Sequence, residues 1–230
     1  MKELDNKLLT GLSLFSQILD SSFPSGSFAY SYGLEPTVLA NEEFGANELE
    51  AFLRNMLTHQ FAKNEFYLAR KAHQAFCENK LQAVLKWEEE YVCAQSYEYA
   101  KSALRIGKIY AKHAQPYLLS GTAKMYREYC EQNDGFGSEL FVLLCLATQL
   151  ELPSALFLTL WGKKVLVAIA MCATKITTIQ PTQIQQILFA LDKKLQVTLE
   201  TPTNSMSYFN PHYEHIIAQH PTLSPKLFIT

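Results

Sequence analysis

The histidines are the residues of this chain whose type and spacing come nearest to a chemical site. Six are present, and only His212 and His215 lie close together, three positions apart on a short predicted helix. That spacing places both rings on one face, where they are weak candidates for a transition-metal site. A closed metal site usually needs four ligands, and this pair supplies two. We therefore favour exposed tail histidines over a metal centre.

No other set of side chains predicts a catalytic centre. The five cysteines form no Cys-x-x-Cys pair, and Cys145 and Cys172 stand in apolar runs typical of buried thiols. The three consecutive glutamates at 88–90 are most simply the solvated face of a helix, because consecutive residues cannot converge on one site. Phosphate-binding loops, nucleophile elbows and zinc-protease motifs are missing from the sequence. We expect a protein that is not an enzyme and needs no cofactor.

Charge and hydropathy exclude several classes of partner. The chain carries 20 basic and 22 acidic side chains without a basic cluster, so nothing attracts nucleic acid or an anionic membrane. The most apolar region, 140–172, is interrupted by polar residues, proline and lysines, which predicts buried core helices rather than a bilayer span. The first residues mix charges with apolar side chains and lack the apolar core of a signal peptide. We expect a cytoplasmic protein.

Helical periodicity dominates the elements that must position any site. The clearest apolar stripe repeats at three and four residues and consists of Leu49, Phe52, Leu53, Met56 and Leu57. A last amphipathic helix carries Ile184, Ile187, Leu188, Leu191 and Leu195, with Pro181 in its first turn. We predict an all-α fold, a single helical-bundle domain of eight to ten helices over 1–200. The Pro-rich tail, 201–230, is predicted to belong to the same domain and to be largely extended and flexible, with one short helix.

An aromatic loop near the start does not fit this helical pattern. Pro24 fixes φ and Gly26 permits a positive φ, so the chain must turn tightly there. The segment also carries four aromatic side chains, namely Phe23, Phe28, Tyr30 and Tyr32. Such rings either plug an irregular loop onto the core or form a surface for a partner. The physical properties of the rings alone favour packing of the loop onto the core, and both interpretations stay open.

The same loop, Phe23 to Glu35, resembles the opening signature of the urease accessory protein UreF family. That signature reads Phe/Leu-Pro-x-Gly-x-Phe/Tyr-x-Tyr-Ser-x-Gly-Leu-Glu, and here the segment is FPSGSFAYSYGLE, which includes Gly33. Two further segments are similar to the family. They are the middle helix with Glu98, Ser102 and Gly107, and the tail with His220, Leu223, Lys226, Leu227 and Phe228.

Some segments depart from the family pattern. The family often has Arg-Leu-x-Pro-Leu-Gly-Gln before its last long helix, whereas this chain reads KITTIQP over 175–181. A basic residue is kept there, at Lys175, but the glycine is lost and the proline is displaced. A His-containing segment is replaced by GSEL at 137–140, and Ile229 stands where the family usually has arginine. The resemblance is that of a divergent member.

The resemblance implies a non-catalytic chaperone of urease maturation with an all-helical, dimerising fold. Family members bridge a UreD/UreH-type scaffold protein to the nickel-carrying GTPase UreG and so help nickel reach apo-urease. Carried over to this chain, the resemblance implies that seven residues serve partner binding. The aromatic loop (Phe28, Tyr30, Tyr32) and Glu35 would order the surface facing the GTPase, with Lys175 on the same side, while Lys226 and Phe228 would dock into the scaffold and become ordered on binding. Pro24, Gly26 and Gly33 would shape the loop.

Two alternatives remain open at this stage. The first is a helical binding module that serves another GTPase or metal pathway, which the altered segment 175–181 suggests. The second is a helical metal protein that uses His212, Glu214 and His215.

Overall fold

The computed structural model describes residues 6–207, 210–224 and 226–229, and the side chains of 28 and 211–213 lie outside that description. Within these residues the secondary structure is helical and contains no strand, which confirms the all-α prediction. The α-helices are α1 (Asn6–Leu19), α2 (Leu34–Leu39), α3 (Ala46–Asn55), α4 (Phe66–Cys77), α5 (Leu81–Ala94), α6 (Tyr97–Ala114), α7 (Gly121–Gln132), α8 (Glu139–Gln149), α9 (Ser154–Ile176), α10 (Pro181–Glu200) and α11 (Pro211–Gln219). Short 3₁₀ turns cover Ser27–Ala29, Gln115–Tyr117 and His220–Thr222.

Helices α3 and α4 are joined by a π-helical segment, Met56–Glu65, into one continuous rod. The rod begins where the Glu48 carboxylate accepts a hydrogen bond from the Gly45 N–H at 3.0 Å. All five residues of the predicted stripe, from Leu49 to Leu57, are buried in the core. If α3, the π-helical segment and α4 are counted as one helix, the described residues form ten helices, which is the upper end of the predicted range.

Helix α8 lies at the centre of the bundle. Its residues from Glu139 to Ala147 are all buried, so this part of the helix has no solvent face. It packs mainly against α6 and α4, while α9 packs against α10. Cys145 in α8 and Cys172 in α9 are buried thiols, as predicted. Among the described residues α9 alone is long and apolar enough to cross a membrane, and half of its most apolar 18-residue stretch is buried inside the fold.

The prediction that Glu88 faces solvent is wrong. Glu88 has no exposed surface, although Glu89 beside it is exposed. Its carboxylate accepts hydrogen bonds from the N–H groups of Gly137 and Ser138 at 3.1 and 2.7 Å. It also accepts hydrogen bonds from the hydroxyl groups of Ser138 and Tyr126, each at 2.7 Å. The glutamate thus fastens the loop before α8, and these four donors offset the cost of burying it.

The described part of the tail runs back along the α3–α4 rod. The Thr203 hydroxyl donates to the carbonyl of Ala62 at 3.2 Å, and the Ser207 N–H donates to the carbonyl of Lys63 at 3.1 Å. Helix α11 then contacts α2, as a continuation of the same path. The chain end is therefore brought to the helix that follows the aromatic loop.

Candidate partner-binding site

The aromatic loop is shaped by residues in the left-handed region of backbone space. Gly26 has φ 75° and Gly33 has φ 81°, values that a glycine adopts without a steric penalty. Tyr32 has φ 53°, which is strained for a residue with a bulky side chain. Such strain persists only where the surroundings hold the residue in place. Here the Tyr32 ring is buried and meets the Tyr99 ring edge-on at 5.8 Å.

The aromatic side chains of the loop mostly plug it onto the core. Tyr30 and Tyr32 are 3% and 5% exposed. Phe23 is half-buried and stacks on Tyr110 with 5.4 Å between ring centroids. Phe28, also predicted to bind a partner, has a side chain outside the described part of the chain, and Pro24 is exposed. Tyr30 and Tyr32 therefore expose little surface of their own.

Glu35 ties the end of the chain to this loop. Its side chain is buried, and its carboxylate accepts hydrogen bonds from the N–H groups of Leu227 at 2.7 Å and Phe228 at 3.3 Å. The buried ring nitrogen Nε2 of His220 lies 3.2 Å from the same carboxylate. One residue further on, the Ile229 N–H donates to the carbonyl of Ala29 at 2.7 Å. We call this set of contacts the tail clamp.

The C-terminal end of α9 adds a cation to the tail clamp. Phe228 is 4% exposed, and Lys175 Nζ lies 5.3 Å from the centre of its ring, within cation–π range. Lys175 stands in the last turn of α9, where the helix dipole favours a positive charge. The thiol of Cys172, one turn earlier, contacts the carbonyl of Tyr30 at 3.4 Å. Loop, helix end and tail therefore meet at one place.

Comparison with known proteins decides the family of this chain. The UreF family model matches residues 44–192, which is well over half of the sequence. The chain belongs to the UreF family. It is similar to the urease accessory protein UreF of Bacillus sp. (strain TB-90), with 24% identity over 228 residues that cover 95% of this chain and 98% of the relative. The predicted resemblance is confirmed, and the UreF family is one of accessory proteins rather than catalysts.

The structure brings together three of the residues that the UreF resemblance singled out. Glu35, Lys175 and Phe228 share the tail clamp, and Lys226 is exposed beside it. Sequence reasoning placed Phe228 on a partner, whereas here its ring packs within its own chain. It also expected a flexible tail that becomes ordered on binding, whereas Leu227 and Phe228 already bond to Glu35. A direct contact between Phe228 and a partner requires the tail to leave the tail clamp.

The predicted pair of tail histidines lies partly outside the described residues. His215 is exposed and its Nε2 lies 3.0 Å from Gln219 Nε2. The side chain of His212 lies outside the described part of the chain. In that part no group of three or more His, Cys, Asp or Glu residues could hold a metal ion. The pair stays a weak metal candidate.

Sequence reasoning missed two buried charge sites in this UreF-family chain. Lys164 and Glu139 form an ion pair with side chains 9% and 7% exposed. Burial alone would lower the pKa of Lys164, but Glu139 beside it raises that pKa overall. The second site is Glu65, where burial raises the pKa to about 7 although Gln60 and Tyr99 donate to the carboxylate. A signal was present, because Gln60 and Glu65 interrupt an apolar helix face.

Proposed function

We propose that this urease accessory protein bridges a UreD/UreH-type scaffold protein and a UreG-type GTPase, and so supports nickel insertion into apo-urease. It acts in the cytoplasm as a homodimer and without catalysis of its own. Membership of the UreF family supports the accessory role. The finer assignment of partners rests on the resemblance together with the tail clamp.

The tail clamp is the observation that carries the proposal. Residues far apart in sequence, Glu35 and Phe228, are joined by a buried carboxylate that accepts consecutive backbone N–H groups. The groups that face solvent around it include apolar and basic ones. They are Leu227 and Ile229, which are 66% and 47% exposed, together with Lys175 and Lys226. Exposed apolar side chains rimmed by cations are typical of a surface that binds another protein.

We assign separate roles within this surface. Lys175 contacts the GTPase, whereas Lys226 and the exposed tail residue Leu227 contact the scaffold protein. Glu35, Tyr30 and Tyr32 are positioning residues, because each is buried and reaches a partner only through the backbone that it holds. Phe228 contacts the scaffold only in copies whose tail has been released from the tail clamp.

The homodimer follows from the symmetry of the assembly. Two GTPase molecules related by a two-fold axis present identical surfaces, and a two-fold dimer of this chain matches both at once. Each copy then contributes one tail clamp. The complete assembly contains two copies each of this chain, the scaffold protein and the GTPase.

Co-expression with the cognate scaffold protein and GTPase tests the proposal. Size-exclusion chromatography with light scattering should show a co-eluting complex with two copies of each protein. Guanine nucleotide and nickel should strengthen it. A folded chain that ignores both partners would contradict the proposal and favour a binding module of another GTPase or metal pathway.

Variants divide the surface between the two partners. Lys175→Ala should weaken GTPase retention while scaffold binding persists. Truncation after Ser224 should abolish scaffold binding. Lys124→Ala is the matched control, because Lys124 is an exposed lysine on α7, which packs against α5 and α8. Unchanged scaffold binding by the truncated chain would refute the role of the tail.

A further inference from the structure

A small, largely enclosed cavity lies in the core beneath the aromatic loop. Its volume is about 10 Å³, the space open to the centre of a water molecule. That is close to the minimum that a single water molecule needs. Six of the lining residues carry polar groups, namely Tyr32, Tyr91, Tyr99, Ser102, Glu139 and Trp161. The cavity is thus at the size limit for one water molecule, and its lining includes polar groups that could bind it.

Trp161 supplies the decisive group. Its side chain is 2% exposed, and its Nε1–H has no hydrogen-bond partner among the described residues. The ring is packed edge-on against Phe61 at 5.5 Å and Phe66 at 6.2 Å, so the indole is held firmly in this orientation. A buried N–H group without a partner is costly and rare, and ordered water commonly satisfies such groups.

We propose that this cavity binds one internal water molecule, which accepts a hydrogen bond from Trp161 Nε1 and donates to oxygen atoms of the lining. The Glu139 carboxylate is one such acceptor, since its ion pair with Lys164 leaves further lone pairs. The phenol oxygens of Tyr91 and Tyr99 are others. The water therefore finds the two to four polar partners that an internal site requires.

The water site anchors the aromatic loop from within. Tyr32 lines the cavity, and its strained backbone places its ring against Tyr99. The Tyr99 hydroxyl also donates to Glu65 at 3.3 Å, so the site joins the loop to the π-helical segment. Trp161 comes from α9, the helix that also carries Lys175. The site does not depend on the proposed bridging role.

Nuclear magnetic resonance on the unaltered chain tests the proposal. In a ¹⁵N-labelled sample, the indole proton of Trp161 should show water cross-peaks of opposite sign in NOE and ROE spectra, as for a water that tumbles with the protein. Trp87 is the internal reference because it is half-buried on α5 and Lys86 Nζ lies over its ring. Trp87→Phe assigns the two signals. No such cross-peak at Trp161 would overturn the proposal.

Tyrosine hydroxyl protons that exchange with solvent give cross-peaks similar to those of a bound water. A high-resolution crystal structure distinguishes the two. Density for a water within hydrogen-bond distance of Trp161 Nε1 supports the site. A side-chain oxygen in that position, or no density in the cavity, overturns it.

Trp161→Phe tests the anchoring role, because it keeps an aromatic ring and removes the donor. The water should be lost, and amide hydrogen exchange over residues 30–35 should become several-fold faster. Exchange in α7 should not change, and Trp87→Phe should leave both regions unaltered. Loss of the water with unchanged exchange in the loop would overturn the anchoring role.

Discussion

In two regions of this molecule a buried carboxylate accepts two consecutive backbone N–H groups, and the purpose differs between them. At the loop before α8, buried Glu88 accepts the consecutive N–H groups of Gly137 and Ser138. At the tail clamp, buried Glu35 accepts the consecutive N–H groups of Leu227 and Phe228. The loop joins α7 to α8, whereas the clamped tail segment lies beyond α11 and belongs to no helix. One carboxylate therefore holds a permanent part of the core, and the other holds a segment that can leave without unfolding a helix.

Removing Glu88 should have the largest effect. Glu88→Ala leaves buried donors of Gly137, Ser138 and Tyr126 without an acceptor. A buried donor left without its acceptor costs about 1–3 kcal/mol, so the loss of several such bonds should cost about 3–5 kcal/mol in total. Urea unfolding should show this fall in the free energy of unfolding. Glu89→Ala is the control, because Glu89 is exposed on the same helix. Equal effects of both changes would contradict the role of Glu88 in holding the loop before α8.

A methyl group at Gly107, on α6, should displace the same loop before α8. A Cβ there would lie 1.9 Å from the Gly137 carbonyl oxygen and 2.6 Å from the Ser138 carbonyl carbon, so the loop must move off Glu88. Overpacking of this kind costs about 1–3 kcal/mol. Thermal unfolding of Gly107→Ala should show a lower Tm. Gly135→Ala is the control, because open space surrounds Gly135, and a comparable loss there would argue against the steric explanation.

The contribution of Glu65 and Glu88 to stability should fall as the pH rises from about 4.5 to about 7. Burial raises the pKa of Glu65 and Glu88 to about 7 from the ordinary value of 4.5. Between those values the folded chain binds more protons than the unfolded chain, so raising the pH favours unfolding. A shift of this size corresponds to an effect on the order of 3 kcal/mol per group.

Glu65→Gln isolates one of these two groups, because an amide does not titrate. The change should flatten the pH dependence of the free energy of unfolding, measured by urea unfolding. The gain in stability over the unaltered chain should be larger at pH 8 than at pH 5. Glu89→Gln is the exposed control. A pH profile for Glu65→Gln that matches the unaltered chain would contradict a titrating Glu65.

Releasing the tail clamp should have the smallest effect on global stability. Glu35→Gln gives Leu227 and Phe228 a weaker, neutral acceptor, and the difference between a charged and a neutral acceptor is about 1 kcal/mol. The tail should open locally, so carboxypeptidase digestion should become faster while the urea midpoint changes little. Glu42→Gln, at an exposed position, should leave digestion unchanged. A large drop in the urea midpoint for Glu35→Gln would contradict the distinction between the tail clamp and the loop held by Glu88.

The wrong prediction at Glu88 shows where periodicity stops being informative. Glu88 lies one helical turn beyond Val84 and Leu85, on the stripe that turned out to be buried. The spacing therefore indicated burial, while the residue type indicated solvent. The residue type misled because the four donors that satisfy Glu88 come from Tyr126, Gly137 and Ser138, which no local pattern links to it.

Local sequence determined the helices, the turn at Gly26 and the apolar faces that form the core. Spacing of apolar residues, a fixed φ at proline and the freedom of glycine act over a few residues, so they can be read without the fold. Only the tertiary structure decided that Glu35 meets Leu227 and Phe228, 192 and 193 positions away. It also decided that Glu65 and Glu88 are buried. The reason is physical: a buried carboxylate is stable only where donors converge on it, and convergence is set by helix packing.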